Sequence, residues 1–328
     1  MAQVSGTTDS FDLVGIAEDV EDIIHNISPM DFPVQKMAKR KKATNTLHQW
    51  QTDSLAAASA TNRQIEGDDA SYTTATPTTM LSNYTQISRK TLITSRTADR
   101  VKKYGRAEEF ARLIAKYGKE IKRDIEANIT QNGASSAGGS ATARASAGLE
   151  SMIVNRVLPT TSGTGTTPGY AAGVWAAPTD GTNTGAGSTL TESYLRSALE
   201  EAWTDGGDPT EIVLGPFQKK QVATFAGASA FAGFYNPKQG EAQGAVIGGV
   251  DVYVSDFGRH NVKLNRFMRT RTVLCLDPEY ISLAWLDGIR FEELAKTGDA
   301  KKGMLIGEYT LVADNPDAHG KVQDLATA

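Results

Sequence analysis

The sequence predicts a mixed α+β chain. Three observations carry that expectation. A single-striped amphipathic run extends from about Arg96 to Asn132. Two period-two segments flank a polar stretch before it, and short apolar runs alternate with short helical patterns after it.

The first run sets the frame. Val101, Tyr104, Ala107, Ala111, Ile114, Gly118, Ile121, Ile125 and Ile129 recur at steps of three and four and make one helical face. Lys102, Arg106, Glu109, Arg112, Lys116, Lys119, Lys122 and Glu126 lie between them, and opposite charges such as Glu108 and Arg112 stand four apart. No proline interrupts the run, and Asn132-Gly133 reads as a left-handed cap. About 35 residues at about 1.5 Å each predict a spine of roughly 50 Å. The stripe lacks a leucine heptad, so a coiled coil is the weaker reading.

Ahead of the spine, residues 1–45 read as an arm that cannot form a core of its own and is expected to lie on a neighbouring subunit. Ala17–Ile27 has the pattern of a short amphipathic helix with Glu18, Asp19, Glu21 and Asp22 in its first turns. A second helix is expected to begin at Pro33 and end in Lys39-Arg40-Lys41-Lys42, the basic run then being a solvated helix end more readily than a binding patch. Residues 46–95 read as an extended hairpin. Leu47–Asp53 and Tyr84–Thr91 alternate as strands do. The tip between them is rich in Ser, Thr and Ala, turns at Glu66-Gly67-Asp68-Asp69, and holds too few large apolar residues to pack on itself. An isolated hairpin is marginal in water, so this arm is expected to become ordered across another subunit.

After the spine, ASSAGGSATARAS reads as a flexible linker within a segment spanning 96–156. Residues 157–188 form a Gly/Thr/Ala-rich insertion expected at a surface, where Gly163-Thr164-Gly165 lacks the strand-to-helix setting of a phosphate loop. Residues 189–295 carry a second helix, with Thr191 as N-cap and Tyr194, Leu195, Ala198, Leu199 and Ala202 as its stripe, stopped by Gly206-Gly207. Strand-like EIVLG, VIGGVDVYVSD, NVKLNRF, TVLCLD and YISLAWLD accompany it, with a helix at PFQKKQVATFA. Residues 296–328 end in LIGEYTLVA, a strand that can return beside the spine.

Composition excludes several classes. At 328 residues the chain can bury a large core, normally in two domains. A formal net charge of -4 argues against a protein whose main task is gripping nucleic acid. Cys275, the one cysteine, permits no intrachain disulfide and suits a reducing compartment. No stretch reaches a membrane span, and the N-terminal residues lack the pattern of a secretory signal.

No catalytic, cofactor or metal constellation emerges. His25, His48, His260 and His319 are scattered, with His25 and His48 expected at a surface or interface. Cys275 reads as a buried small hydrophobe rather than a nucleophile. Glu66, Asp68 and Asp69 lack calcium-loop spacing. Arg269 and Arg271 alternate as on one strand face, directed to solvent or to an intersubunit salt bridge. Trp50, Trp175, Trp203 and Trp285 form no base-stacking ladder.

The succession of arm, hairpin, spine, α+β module and terminal strand resembles the major capsid proteins of tailed bacteriophages, with the Hong-Kong-97-type fold shared by herpesvirus shells. It is most similar to a phage capsid group once described only as a family of unknown function. The segments that carry the resemblance are ISPMDFPVQKMAKRKKATNTLHQWQTDSL, YTQISRKTLITSRTADRV, RDIEANITQNG, GLESMI, LTESYLRSALEEAWTDGGDPTEIVLGPFQKKQVATF and GEYTLVADNPDAHGKVQDL.

The resemblance implies a peripheral domain on the spine and an axial domain meeting its copies in hexamers and pentamers. It also implies a hairpin overlapping a neighbouring capsomer, and an icosahedral shell around a double-stranded DNA genome that is held without sequence-specific binding. It implies a non-enzymatic virion component, assembled in the host bacterial cytoplasm, with scaffold, portal and decoration proteins as partners and no membrane. Some relatives cross-link a lysine to an asparagine, and the sequence singles out no such pair. Two alternatives stand beside this reading: a cellular nanocompartment (encapsulin-like) shell, and a soluble α+β enzyme, against which the core-poor stretch 54–82 argues.

Overall fold

The computed structural model describes residues 31–70, 72, 74–105, 107–159, 168–180, 187–225 and 251–327. The expected helix at Ala17–Ile27, with His25, and the glycines at 163 and 165 lie outside these residues.

In chain order the elements are α1 (Pro33–Met37), β1 (Lys39–Lys42), β2 (Leu47–Thr52), β3 (Thr79–Tyr84), β4 (Gln86–Ser95), α2 (Arg96–Arg100), α3 (Glu109–Thr130) and α4 (Leu149–Met152). They continue with β5 (Asn155–Val157), β6 (Gly169–Ala171), β7 (Val174–Ala176), α5 (Glu192–Thr204), β8 (Glu211–Leu214), α6 (Pro216–Val222), β9 (Val252–Ser255) and β10 (Gly258–Leu264). The chain closes with β11 (Val273–Leu276), β12 (Ile281–Leu294), β13 (Ala300–Ala313) and β14 (Gly320–Val322).

The spine is α3, and it is shorter than its sequence stripe. It has 22 residues, about 33 Å at the α-helical rise. Gly105 takes a positive φ of 71° and breaks the run between α2 and α3. Asp99, in α2, then receives the Glu109 N–H at 3.1 Å and the Phe110 N–H at 3.5 Å, capping the spine from outside. Val101 and Tyr104 sit in the break and are exposed. Burial is confined to the C-terminal half, where Ile121, Ile125 and Ile129 are fully enclosed. Each contributes about 2 kcal/mol through apolar burial. The helix ends at Gln131 in extended geometry, so Asn132-Gly133 is not a left-handed cap. On its exposed face Arg112 pairs with Glu109 and Lys116 with Glu120, rather than Arg112 with Glu108.

Two sheets pack around this spine. One has the order β1-β12-β13-β4, the other β5-β14-β11-β8-β10-β9. β12 and β13 are 14-residue antiparallel partners with register shifts between Trp285 and Asp287 and between Asp287 and Arg290. β4 runs along β13 from Gln86↔Tyr309 to Ser95↔Ala300. In the second sheet, β8 and β11 are buried on both faces, which explains the continuous apolar runs Ile212–Leu214 and Val273–Leu276. Val213, Leu274 and Leu276 enter a core shared with Ile125, Ile129, Tyr309, Leu311 and Ile281. Ile212, Leu214, Val273 and Cys275 point the other way, against Leu195, Ala198 and Leu199 of α5 and Val222 of α6. Gly320 lets β14 lie directly against the Ala198 carbonyl, where any Cβ would collide.

The expected N-cap holds: the Thr191 hydroxyl accepts the Tyr194 N–H, and α5 ends at Gly206 with φ 92°. Other expectations change. Lys39–Lys42 is not a helix end. It is a strand, because Ala38 turns extended and β12 supplies a parallel partner, Lys39↔Ser282 to Lys42↔Trp285. The hairpin closes between β2 and β3, Leu47↔Tyr84 to Thr52↔Thr79, while the strand after Tyr84 joins the β12–β13 sheet instead. The segment 134–147 is no flexible linker. Ser135, Ser146 and Ala147 are buried, and buried Asn83 clamps it through Ser146 Oγ (3.1 Å) and the Ala147 N–H (3.1 Å).

Sheet membership cuts across the sequence segments. β14, near the end of the chain, lies between β11 and β5, although β5 is at the start of the 157–188 insertion. Among the described residues no helix is long and apolar enough to cross a membrane.

Candidate functional site

The structure presents surfaces for association more readily than a pocket for chemistry. The polar arm between β2 and β3 is irregular and exposed along its described length, with Leu55, Ile65 and Tyr72 at 80% exposure or more. Gly67, at φ 85°, turns the chain so that Glu66, Asp68 and Asp69 crowd at the tip, with the Asp68 N–H donated to the Ile65 carbonyl at 3.2 Å. A segment with so little internal burial cannot offset its own ordering entropy. Its apolar side chains need another surface.

The root of the arm is fixed by contrast. Trp50 of β2 packs beside the main core, and Leu81 of β3 is inside it. Trp175 in β7 is buried, donates Nε1–H to the Ser82 carbonyl at 2.9 Å, and stacks obliquely on Tyr170. Trp175, with Tyr170 packed beside it, thus ties residues 168–180, at the end of the insertion, to the core, while Ala171, Val174 and Ala176 stay at the surface.

Around α4 lies a charge network that the sequence did not disclose. Arg269 reaches buried Glu150 at 2.8 Å and Asp180 at 2.5 Å. Arg271 pairs with Asp324, a buried residue held at φ 62°. Buried Lys321 donates to the Glu150 carbonyl, and Thr272 Oγ1 donates to Glu150 Oε1 at 3.0 Å. Burial raises the Glu150 carboxyl above its ordinary range, against the pull of Arg269 and Lys321. Burial also lowers the Lys321 ammonium, against the attraction of Glu150. Three cations and three carboxylates balance, so the cluster fastens α4, the insertion and the C-terminal segment together. Arg269 and Arg271 therefore face neither solvent nor, in these contacts, a second subunit. They lie in the β10–β11 connection, and their pairs are intrachain.

A second anchor joins the N-terminal segment to the spine, so from residue 31 onward this segment packs on its own chain and not, as expected, on a neighbour. Glu126 is fully buried and accepts the Val34 N–H at 3.0 Å, the Gln35 N–H at 3.1 Å and Asn265 Nδ2–H at 2.7 Å. Burial raises its carboxyl above the usual value, and these bonds oppose the shift.

The remaining sequence candidates separate. His48 is half-buried beside Trp50, its pKa lowered by burial and by Lys41. His260 is buried between Ser255 Oγ (2.6 Å) and the Pro209 carbonyl (2.5 Å). His319 is buried, accepts the Asp277 N–H on Nδ1 at 3.1 Å, and is pushed down to about 4 by desolvation. The Cys275 thiol is enclosed and pushed up to about 12. Trp203 is exposed and Trp285 rests on Tyr309, far from a ladder. Among the described residues no group of three His, Cys, Asp or Glu side chains is arranged to hold a metal ion.

A family model, SU10 major capsid protein, matches residues 3–326. The chain belongs to the SU10 major capsid protein family. As a member, it is a structural protein of a phage shell. A curated relative, the major capsid protein of Escherichia phage Phieco32, is 41% identical over 100 residues. That match spans 30% of this chain and only 28% of the relative.

Solved structures agree on the fold. The cyanophage A-1(L) capsid aligns with TM-score 0.66 at 13% identity over 98% of this chain and 99% of that one. Gordonia phage Cozz gives 0.58 at 11% over 99% and 98%, and the capsid of a native GTA particle gives 0.59 at 9% over 97% and 98%. The architecture of this SU10-family chain is thus the Hong-Kong-97 type. In those terms the exposed arm and the network-braced core are the parts of a shell subunit.

Proposed function

We propose that this chain self-assembles through rings of five and six into a closed icosahedral shell around the double-stranded DNA of a tailed phage. The observation that carries this reading is the contrast between a firmly rooted hairpin base and a fully exposed arm beyond it. A lone subunit cannot satisfy the arm, whereas a neighbouring subunit can. Ordering such arms on contact gives large interfaces whose net strength stays low enough to correct errors. The chain acts as a wall rather than an enzyme, and its modest negative charge suits a container that must not grip its genome.

Segments 96–154 and 296–313 serve as the peripheral part on the spine, and 189–280 with β5 and β14 as the axial part. Assembly takes place in the host cytoplasm. Scaffold, portal and decoration proteins act as partners. Cryo-electron microscopy of particles from the expressed chain tests this. Rings of five and six, with residues 53–78 of one subunit lying over the next, are expected. Rings in which that arm touches only its own subunit would overturn the reading.

A further inference from the structure

Two exposed charged groups of opposite sign lack partners among the described residues. On β1, Lys39, Arg40 and Lys42 are exposed, and Lys41 alone is paired, to Asp314 at 2.5 Å. Among the described residues β1 is the outermost strand of its sheet, hydrogen-bonded only to β12, so its cations reach both faces and the open edge. At the arm tip, Glu66, Asp68 and Asp69 are exposed and likewise free, set at one turn by Gly67. Arg63 stands close by in sequence, and three carboxylates outweigh it.

We propose that the acidic tip of the arm docks on the basic strand β1 of a second copy of this chain. The inference rests on the shell reading above and supplies the recognition chemistry of the arm contact. Reach decides between self and neighbour. β2 begins five residues after β1 ends, so the arm starts beside its own β1 and leads away from it. Thirteen residues lead out to the tip (53–65) and nine lead back (70–78), so the shorter limb, extended, carries the tip roughly 30 Å out. Three carboxylates meet three unpaired cations, and charge complementarity of this kind sets register and rejects wrong partners more than it adds affinity. Exposed pairs are screened by salt, so the contact is adjustable during closure. Tyr72 and Ile65, exposed on the same arm, add apolar area once the tip is seated.

The test is a charge swap in the full chain, read by particle yield in sedimentation and by electron microscopy. K39E/R40E/K42E and E66K/D68K/D69K are each expected to lower shell yield about tenfold, and their mixture to restore it, since each carries the complement the other lacks. Circular dichroism should be unchanged in both, because every altered side chain is exposed. E66Q/D68N/D69N, which removes charge without repulsion, should weaken closure at high salt less than at low salt. Wild-type shells with no loss in either reversal variant would overturn this proposal while leaving the shell reading intact. So would a β1 variant that closes normally and loses packaged DNA, which would make the strand a phosphate contact. As a direct check, R40C with D68C should give intersubunit disulfide ladders under air oxidation, Cys275 being buried. A disulfide confined to single chains would contradict the second-copy assignment.

Discussion

The Val34 N–H donates to the Glu126 carboxylate at 3.0 Å across 92 residues of sequence, in a site closed to solvent. This one bond sets where the N-terminal segment leaves the spine. Gln35 and Asn265 complete the cradle, so the spine, the first short helix and the β10–β11 connection meet at a single carboxylate. Glu126→Ala leaves these donors buried without an acceptor, at a cost of about 3 kcal/mol. Glu126→Gln keeps one acceptor oxygen and should cost less. Amide exchange at Val34 and Gln35 checks this. Faster exchange in both variants, greater in Ala, is expected, and unchanged protection in Ala would refute the anchor.

Ile121 sits at zero exposure on the buried half of the spine. Ile121→Asp places an unpaired charge there and should unfold the subunit, which is a larger effect than most single changes. Ala111, on the same stripe but exposed, should tolerate the same substitution. Soluble expression with circular dichroism separates the two. A native-like Ile121→Asp chain would mean that the stripe is not packed.

That contrast shows where the sequence was legible. The 3.6-residue period located the spine face correctly at Ile121, Ile125 and Ile129, but it runs on through Val101 and Tyr104, where the chain is not helical. The stop comes from Gly105 and from Asp99 capping across the gap, and periodicity carries neither signal. The arm was legible because it holds too few large apolar residues to pack on itself. The basic strand was not, since its partner β12 lies at the far end of the chain and its side chains resemble any solvated run. The Arg269 and Arg271 pairs depend on which loops fold together, so alternation alone sent them to the wrong environment.

Arg271→Ala strands Asp324 as a buried carboxylate without its cation. A loss of about 3 kcal/mol is expected, with Asp324→Asn in the same chain recovering part of it. Urea midpoints of the three variants measure this, and strict additivity would show that the pair is not coupled.

His319 makes stability depend on acid. Its folded pKa of about 4 lies below the ordinary 6.5, so the unfolded chain binds the proton first. The contribution is complete above pH 6.5 and is lost as pH falls toward 4, by up to about 3 kcal/mol. Glu126 acts in the opposite sense. Its raised carboxyl favours the folded state below 4.5, and that benefit fades as pH rises through its folded value. His319→Gln should flatten the slope between pH 6.5 and 4 in thermal melts, and a slope identical to wild type would assign the acid loss elsewhere.

Deleting residues 57–78 and measuring particle size shows whether the arm between β2 and β3 exists for neighbouring subunits. Light scattering and negative-stain microscopy of the deleted and full-length chains, expressed alike, give the answer. A folded, soluble subunit that no longer closes stable particles is expected, beside full-length chain that does. Normal shells from the deleted chain would contradict it.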